Sequence, residues 1–149
     1  IKPFGGRALM SMRLEKNWGA WTLDYRPDFT ACESGLDKFI DWNKNFIGKE
    51  ESLKEKNIGP KKRLVTMEVF TKDIDVTCDE AIMKNDKCIG YVTSGGYAHH
   101  SKKSIALGYI PTEFSKDKTE LKVEINGNLY DAIVMRNCLY DPTGKKMKG

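Results

Sequence analysis

Cysteine is scarce and unpaired in the sequence: Cys32, Cys78, Cys88 and Cys138 are the four among 149 residues, and no two stand closer than ten positions apart. The short paired spacings that tetrahedral zinc sites and dithiol redox motifs need are missing, and the four read as reduced, partly buried thiols. Long apolar runs are missing too. No uncharged stretch approaches the ~20 apolar residues that span a bilayer, and Ile1-Lys2-Pro3-Phe4-Gly5-Gly6 lacks the charged and apolar regions of a secretory signal. A reducing compartment is the expected location, the cytoplasm or, in a eukaryote, the mitochondrial matrix. Nor does one charge dominate. Lys and Arg number 25 against 21 Asp and Glu, split 10 to 9 over the first 60 residues and 15 to 12 after them. With no basic lobe and no apolar span, neither nucleic acid nor a membrane is the expected partner.

What remains is a chain with 40% hydrophobic residues, enough to bury a genuine core. The run Arg7-Ala8-Leu9-Met10-Ser11-Met12-Arg13-Leu14-Glu15-Lys16 reads as a helix with Leu9/Met12 and Met10/Leu14 on two faces, and it should end at a left-handed cap near Trp18-Gly19. A helix apolar on two sides expects partners on both, and the chain opens without Met, so a piece of a longer protein is expected. Trp21, Tyr25 and Phe29 around Pro27 suggest an ordered loop of packed aromatics. Leu36, Phe39 and Ile40 fit either a helix or an extended segment. Lys49 to Lys54 reads as a short helix with a Glu50–Lys54 pair, ended by Gly59-Pro60.

From Lys62 the period becomes two. Val65, Met67 and Val69 alternate with Leu64, Thr66 and Glu68, and similar strands follow at Glu80 to Lys84, Cys88 to Thr93, Ser104 to Ile110, Glu120 to Ile125 and Leu129 to Met135. Asn126-Gly127 between two alternating runs is a strong hairpin signal, and Asn85-Asp86 marks another turn. Short strands joined by turns, with no helices between them, predict a small antiparallel barrel or sandwich behind a helical front, with the boundary near residue 60.

Chemistry has few candidates. Glu15 ends a largely apolar helix, where a carboxylate is either a solvated helix end, mildly opposed by the helix dipole, or, if partly buried, an acceptor for a planar group offering two parallel N–H donors. Thr93-Ser94-Gly95-Gly96-Tyr97 follows a strand; its glycines allow close backbone approach, or simply a barrel corner, and Tyr97 offers a ring for stacking. His99 and His100 are neighbours that a strand would point to opposite faces, which argues for a turn role over a shared metal. Lys44, Lys49, Lys61, Lys62, Lys102, Lys103 and Arg63 are candidates for holding an anionic tail, or a solvated surface. No hydrolase order of Ser, His and Asp is readable, and no strand precedes Gly5-Gly6 to make a dinucleotide fingerprint.

The run from Arg7 to Lys16, Gly19-Ala20-Trp21, and Ser34-Gly35-Leu36-Asp37 through Asn45-Phe46-Ile47-Gly48-Lys49-Glu50 closely resemble the folate-binding region of the dimethylglycine and sarcosine dehydrogenases. The back half agrees through Lys62-Arg63-Leu64-Val65, Ile89-Gly90-Tyr91-Val92-Thr93-Ser94-Gly95-Gly96-Tyr97 and Lys103-Ser104-Ile105-Ala106-Leu107-Gly108-Tyr109-Ile110-Pro111, motifs shared across the glycine cleavage T-protein (aminomethyltransferase) superfamily. The resemblance implies an α+β fold, with residues 1–60 the truncated end of an α/β folate-binding domain and residues 61–149 a small antiparallel β-barrel. It implies that Glu15 reads the pterin edge of tetrahydrofolate, Leu14 and Lys16 line its pocket, Tyr97 meets it from the barrel side, and Lys44 lies near the folate tail. Arg7 stands where the dehydrogenases often carry Tyr. The same resemblance implies one-carbon transfer from a methylated amine to tetrahydrofolate. FAD and the catalytic aspartate would lie in upstream segments, so no catalytic residue falls in this chain. An aminomethyltransferase, a tetrahydrofolate-dependent sulfur-methyl demethylase and a non-catalytic binding module are the alternatives.

Overall fold

The alternation that starts at Lys62 closes on itself. In the computed structural model, which describes residues 2–148, six strands, β1 (Lys62–Val69), β2 (Ala81–Lys84), β3 (Lys87–Ala98), β4 (Lys103–Pro111), β5 (Glu120–Ile125) and β6 (Asn128–Met135), form a barrel. Every pairing is antiparallel, in the closed order β1-β4-β3-β2-β5-β6 and back to β1. Closure removes the sheet edges that an open six-stranded sheet would expose. The fold is α+β, with the barrel expected from the sequence.

Period-two alternation fills the interior. Leu121, Val123 and Ile125 on β5 point inward while Glu120, Lys122 and Glu124 face out, and they meet Val65, Met67, Val69, Ile82, Val92 and Val134 in one buried cluster. At β4 the alternation fails, because every residue from Ser104 to Ile110 is buried. Ala106 and Ile110 belong to the interior cluster, whereas Ile105, Leu107 and Tyr109 are buried outside it. A strand covered on both faces reads as a continuous apolar run.

The cover includes the helical front. Helix α1 (Gly6–Glu15) packs on β3 and β4, and Leu14, 2% exposed, sits so close to β3 that a Cβ on Gly96 would lie 3.4 Å from Leu14 Cδ1. The helix reverses two residues earlier than Gly19. Asn17 takes the left-handed conformation (φ 58°), Trp18 N–H returns to Arg13 O at 2.9 Å, and the Asn17 side chain bonds the Thr66 hydroxyl on β1. Asn tolerates that conformation and gains a partner there. Gly19 serves packing instead, since a Cβ would lie 2.5 Å from the Tyr25 ring.

Other expectations are revised locally. Helix α2 extends over Lys49–Ile58, and Lys54 pairs with Glu51 at 2.6 Å, one residue nearer than Glu50. Asp37–Phe39 is a single 3-10 turn, after which Ile40 is extended. In the aromatic loop Phe29 stacks on Tyr109 with ring centroids 3.5 Å apart and planes 7° from parallel, but Trp21 is 80% exposed. Cys32 is buried and Cys138 partly so, whereas Cys78, in the bend before β2, and Cys88, at the start of β3 opposite Met83, are exposed; all four are free thiols.

The segment Ser94-Gly95-Gly96-Tyr97 is no corner. It continues β3 opposite Leu107, Ala106, Ile105 and Ser104. Between Val92 and Ser94 the register slips, making Thr93 an extra residue, a β-bulge. Both hairpin turns behave as expected: Asn85-Asp86 and Asn126-Gly127 have positive φ throughout, the conformation that matches the strand twist.

Gly95 is required by space. A Cβ there would lie 2.5 Å from the carbonyl oxygen of Val76, a backbone atom with little room to move. Gly95→Ala is expected to destabilise the barrel by about 1–3 kcal/mol, the usual cost of overpacking, read as a lower urea midpoint at unchanged slope.

Candidate functional site

The last turn of α1 buries three consecutive residues, Arg13, Leu14 and Glu15, at 7%, 2% and 4% exposure. Successive helical residues point about 100° apart, so the three engage three different elements: Arg13 the aromatic loop, Leu14 the β3 backbone, and Glu15 the turn between β3 and β4.

Arg13 meets Asp24, which is wholly buried. Nη1 of Arg13 lies 2.7 Å from Asp24 Oδ2, and that oxygen also accepts the Ala20 N–H at 2.7 Å. The Ser94 hydroxyl reaches the carboxylate at 2.8 Å, and Thr93 Oγ1 donates to Oδ1 as well. The bulge makes this possible, because adjacent residues of a regular strand point to opposite faces. The Tyr109 hydroxyl donates to the Asp24 backbone carbonyl at 3.0 Å and takes the Ser34 hydroxyl at 2.7 Å. Burial pushes the Tyr109 phenol up to about 12, against the opposing hydrogen bond from Ser34. On Arg13, Nε and Nη2 are buried and meet no partner among the described residues.

Glu15 faces the other way. Its Oε1 accepts the His100 N–H at 2.7 Å and, more weakly, the Ser101 N–H at 3.4 Å. Among the described residues Oε2 meets only the Ser101 hydroxyl, at 3.5 Å. The carboxylate is thus half committed to the turn and retains acceptor capacity. It borders a cleft of about 530 Å³ walled by Leu9, Met12, Trp18 and Met147, with Lys16, His100, Tyr140, Asp141 and Lys146 as its polar groups.

Lys16 also lies at this cleft, but its ammonium is engaged, 3.0 Å from Asp141 Oδ2 and 2.5 Å from the Asp141 carbonyl. The other residues singled out in the sequence lie elsewhere. Leu14 packs beneath the helix. Tyr97 is on β3, half-exposed, its ring 5.1 Å from that of His99 and its carbonyl accepting the Ser11 hydroxyl at 2.7 Å. Lys44 is 79% exposed and sits 3.7 Å from Asp41. Of the other basic residues, Lys103 pairs with Glu68 at 2.6 Å and Arg63 donates to the Cys32 carbonyl at 3.4 Å.

Arg13, Asp24, Tyr140 and Asp141 escaped the sequence reading. An acid in an aperiodic aromatic loop and an acid after the last strand carry no spacing signal; only the bulge and the chain's return to α1 bring them to their partners.

A closed six-stranded antiparallel barrel capped on β3 and β4 by a helix and an aromatic loop is the class of domain these features define. Residues 62–141 match the glycine cleavage T-protein C-terminal barrel domain, and the chain belongs to that family. Human dimethylglycine dehydrogenase, described as mitochondrial, is 36% identical over 152 residues, taking in 99% of this chain and 18% of that protein. An aminomethyltransferase of Synechocystis is 36% identical over 142 residues, 94% of this chain and 38% of that protein. The crystal structure of glycine cleavage system aminomethyltransferase T from Bartonella henselae superposes with a TM-score of 0.81 at 26% identity, covering 91% of this chain and 38% of that one. The chain therefore spans well under half the length of these relatives. No helix among the described residues is long and apolar enough to cross a membrane.

Breaking the buried pair has a defined cost. Asp24→Ala leaves the Arg13 charge without its partner and is expected to lose about 3–5 kcal/mol, while Asp24→Leu with Arg13→Met recovers most of it, as urea denaturation of the two variants beside the wild type would show. Tyr109 makes a second prediction. Its phenol ionises near 12 when folded against an ordinary value of 10.0, so it contributes stability that is complete below pH 10 and is lost as the pH rises toward 12. Alkaline thermal melts of Tyr109→Phe should lack that component of the decline.

Proposed function

We propose that the parent protein transfers a one-carbon unit from a methylated amine of the dimethylglycine or sarcosine type to tetrahydrofolate. In this reading residues 1–60 end its folate-binding domain and residues 61–149 are its C-terminal barrel. The observation that carries the reading is Glu15: a carboxylate 4% exposed, with Oε2 held only by a 3.5 Å contact, at the edge of a mostly apolar cleft. An apolar slot with one buried acceptor suits a flat heterocycle that offers N–H donors in its plane.

Tetrahydrofolate supplies the nucleophilic nitrogen that receives the carbon. The residues here bind and orient. Glu15 accepts N–H donors from the pterin edge, and the His100 and Ser101 amides hold its carboxylate in place. Leu14 anchors the helix end beneath it, and Lys16 flanks it. Trp18 and Met12 shield the ring from water. Tyr97 would meet the cofactor only from the barrel side, and Lys44 only through an extended folate tail. In this reading the chain supplies no catalytic residue; the oxidation of the amine by FAD and the acid that assists transfer belong to upstream segments of the parent protein. The mitochondrial description of the dimethylglycine dehydrogenases supports a matrix location. The equal identity to an aminomethyltransferase, 36%, supports a second reading in which the one-carbon donor is the aminomethyl group of the glycine cleavage system.

Titrating tetrahydrofolate into the full-length protein and its Glu15→Gln variant tests the site. Replacing one acceptor by a donor in a charged hydrogen bond should raise Kd at least about tenfold. Equal affinities would remove Glu15 from the binding site.

A further inference from the structure

The residues after β6 return to α1, and the bonds that hold them there are unusually concentrated. Glu15 O accepts the Tyr140 N–H at 3.0 Å. Lys16, 13% exposed, pairs with Asp141, 5% exposed, and also donates to the Asp141 carbonyl. The second Asp141 oxygen, Oδ1, accepts the Lys146 N–H at 3.3 Å, at the start of α3 (Lys145–Lys148). One carboxylate thereby links the end of α1 to the last turn of the chain. Burial opposes the ionised form of Asp141, but the Lys16 ammonium and the Lys146 amide outweigh it and hold its pKa below the ordinary carboxylate range.

What this strap brings to the cleft is chemically distinct from what α1 offers. The Tyr140 ring stands edge-on to His100, centroids 4.9 Å apart at 89°. The Lys146 ammonium lies 5.0 Å from the Tyr140 ring centroid, with no carboxylate in ion-pair range among the described residues. Lys16 and Asp141 neutralise each other, so among the described residues the uncompensated charges at the cleft are Glu15 and Lys146.

We infer that residues 138–148 form a wall of the ligand site, that Lys16 is a positioning residue locking this wall through Asp141, and that Lys146 receives an anionic group of the ligand. The inference rests on the tetrahydrofolate reading of the cleft, and it accounts for a ligand with a donor edge at one end and carboxylates at the other. Lys16 then acts on the ligand through the strap.

The strap carries its own reporter, because trypsin cleaves after Lys145, Lys146 and Lys148 once the segment is released. In the full-length protein, Lys16→Met and Asp141→Asn should each speed that cleavage about tenfold, as expected when local opening becomes easier. The exchange Lys16→Asp with Asp141→Lys should restore part of the slow cleavage, since it rebuilds the ion pair but not the acceptor of the Lys146 N–H. Both single variants should also raise the tetrahydrofolate Kd about tenfold. Lys146→Met should leave cleavage at Lys145 and Lys148 unchanged and raise Kd about fivefold for tetrahydrofolate, but not for a tetrahydropterin without the glutamyl tail. Wild-type cleavage rates in the single variants would overturn the lock. Faster cleavage with unchanged tetrahydrofolate affinity would take the strap out of the site. An equal loss for both ligands in Lys146→Met would overturn its role toward the tail. Failure of the wild-type protein to bind tetrahydrofolate would overturn the reading of the cleft, while the cleavage rates alone still decide the lock.

Discussion

The carboxylate of Asp24 is the constraint on which the front of the molecule depends. It is fully buried and gathers donors from helix α1, the aromatic loop and the bulge of β3. A buried charge of this kind is tolerated only when its lone pairs are filled. Filling them fixes the orientation of α1, because Arg13 cannot reach Asp24 unless the helix lies across β3. Once Arg13 is fixed, the 100° step between helical residues aims Leu14 at the barrel and Glu15 at the β3–β4 turn. The candidate site is thus a geometric consequence of an ion pair on the opposite side of the helix.

The barrel provides the rigid member. Its closed ladder buries the inner face of β4 while α1 and the aromatic loop cover the outer one, and the bulge at Thr93 turns two adjacent hydroxyls toward one carboxylate. Tyr109 ties the same strand to the loop through its hydroxyl and through its stack with Phe29. The front of the chain has little independent means of staying folded: among the described residues, α2 buries none of its side chains, and α1 leaves Leu9, Met10 and Met12 well exposed. Its order comes from docking on β1, β3 and β4.

The strands were legible in the sequence because period-two alternation is a local signal, and the Asn-Gly and Asn-Asp turns need only their own backbone preferences. The start of the barrel at Lys62 was legible as the point where the period changes. Glu15 stood out as a carboxylate on an apolar helix. The glycine pair at 95 and 96 was readable as a close approach but not as the interior of a strand, because what approaches, Val76 on one side and Leu14 on the other, is distant in sequence. Asn17 lost out to Gly19 as the expected cap because glycine is the commoner left-handed residue; a hydrogen bond to Thr66, 49 positions away, favours Asn.

By itself, then, the sequence determined the strand pattern, the helical front and the acid at the end of α1, since each follows from interactions within a few residues. The tertiary structure alone decided which charges meet. Lys16 reaches Asp141 across 125 positions, Asp24 meets Ser94 across 70, and Lys44, a candidate for the same site, pairs only with its neighbour Asp41. Electrostatic partners are chosen by distance in space, and barrel closure and the return of the chain to α1 set that distance.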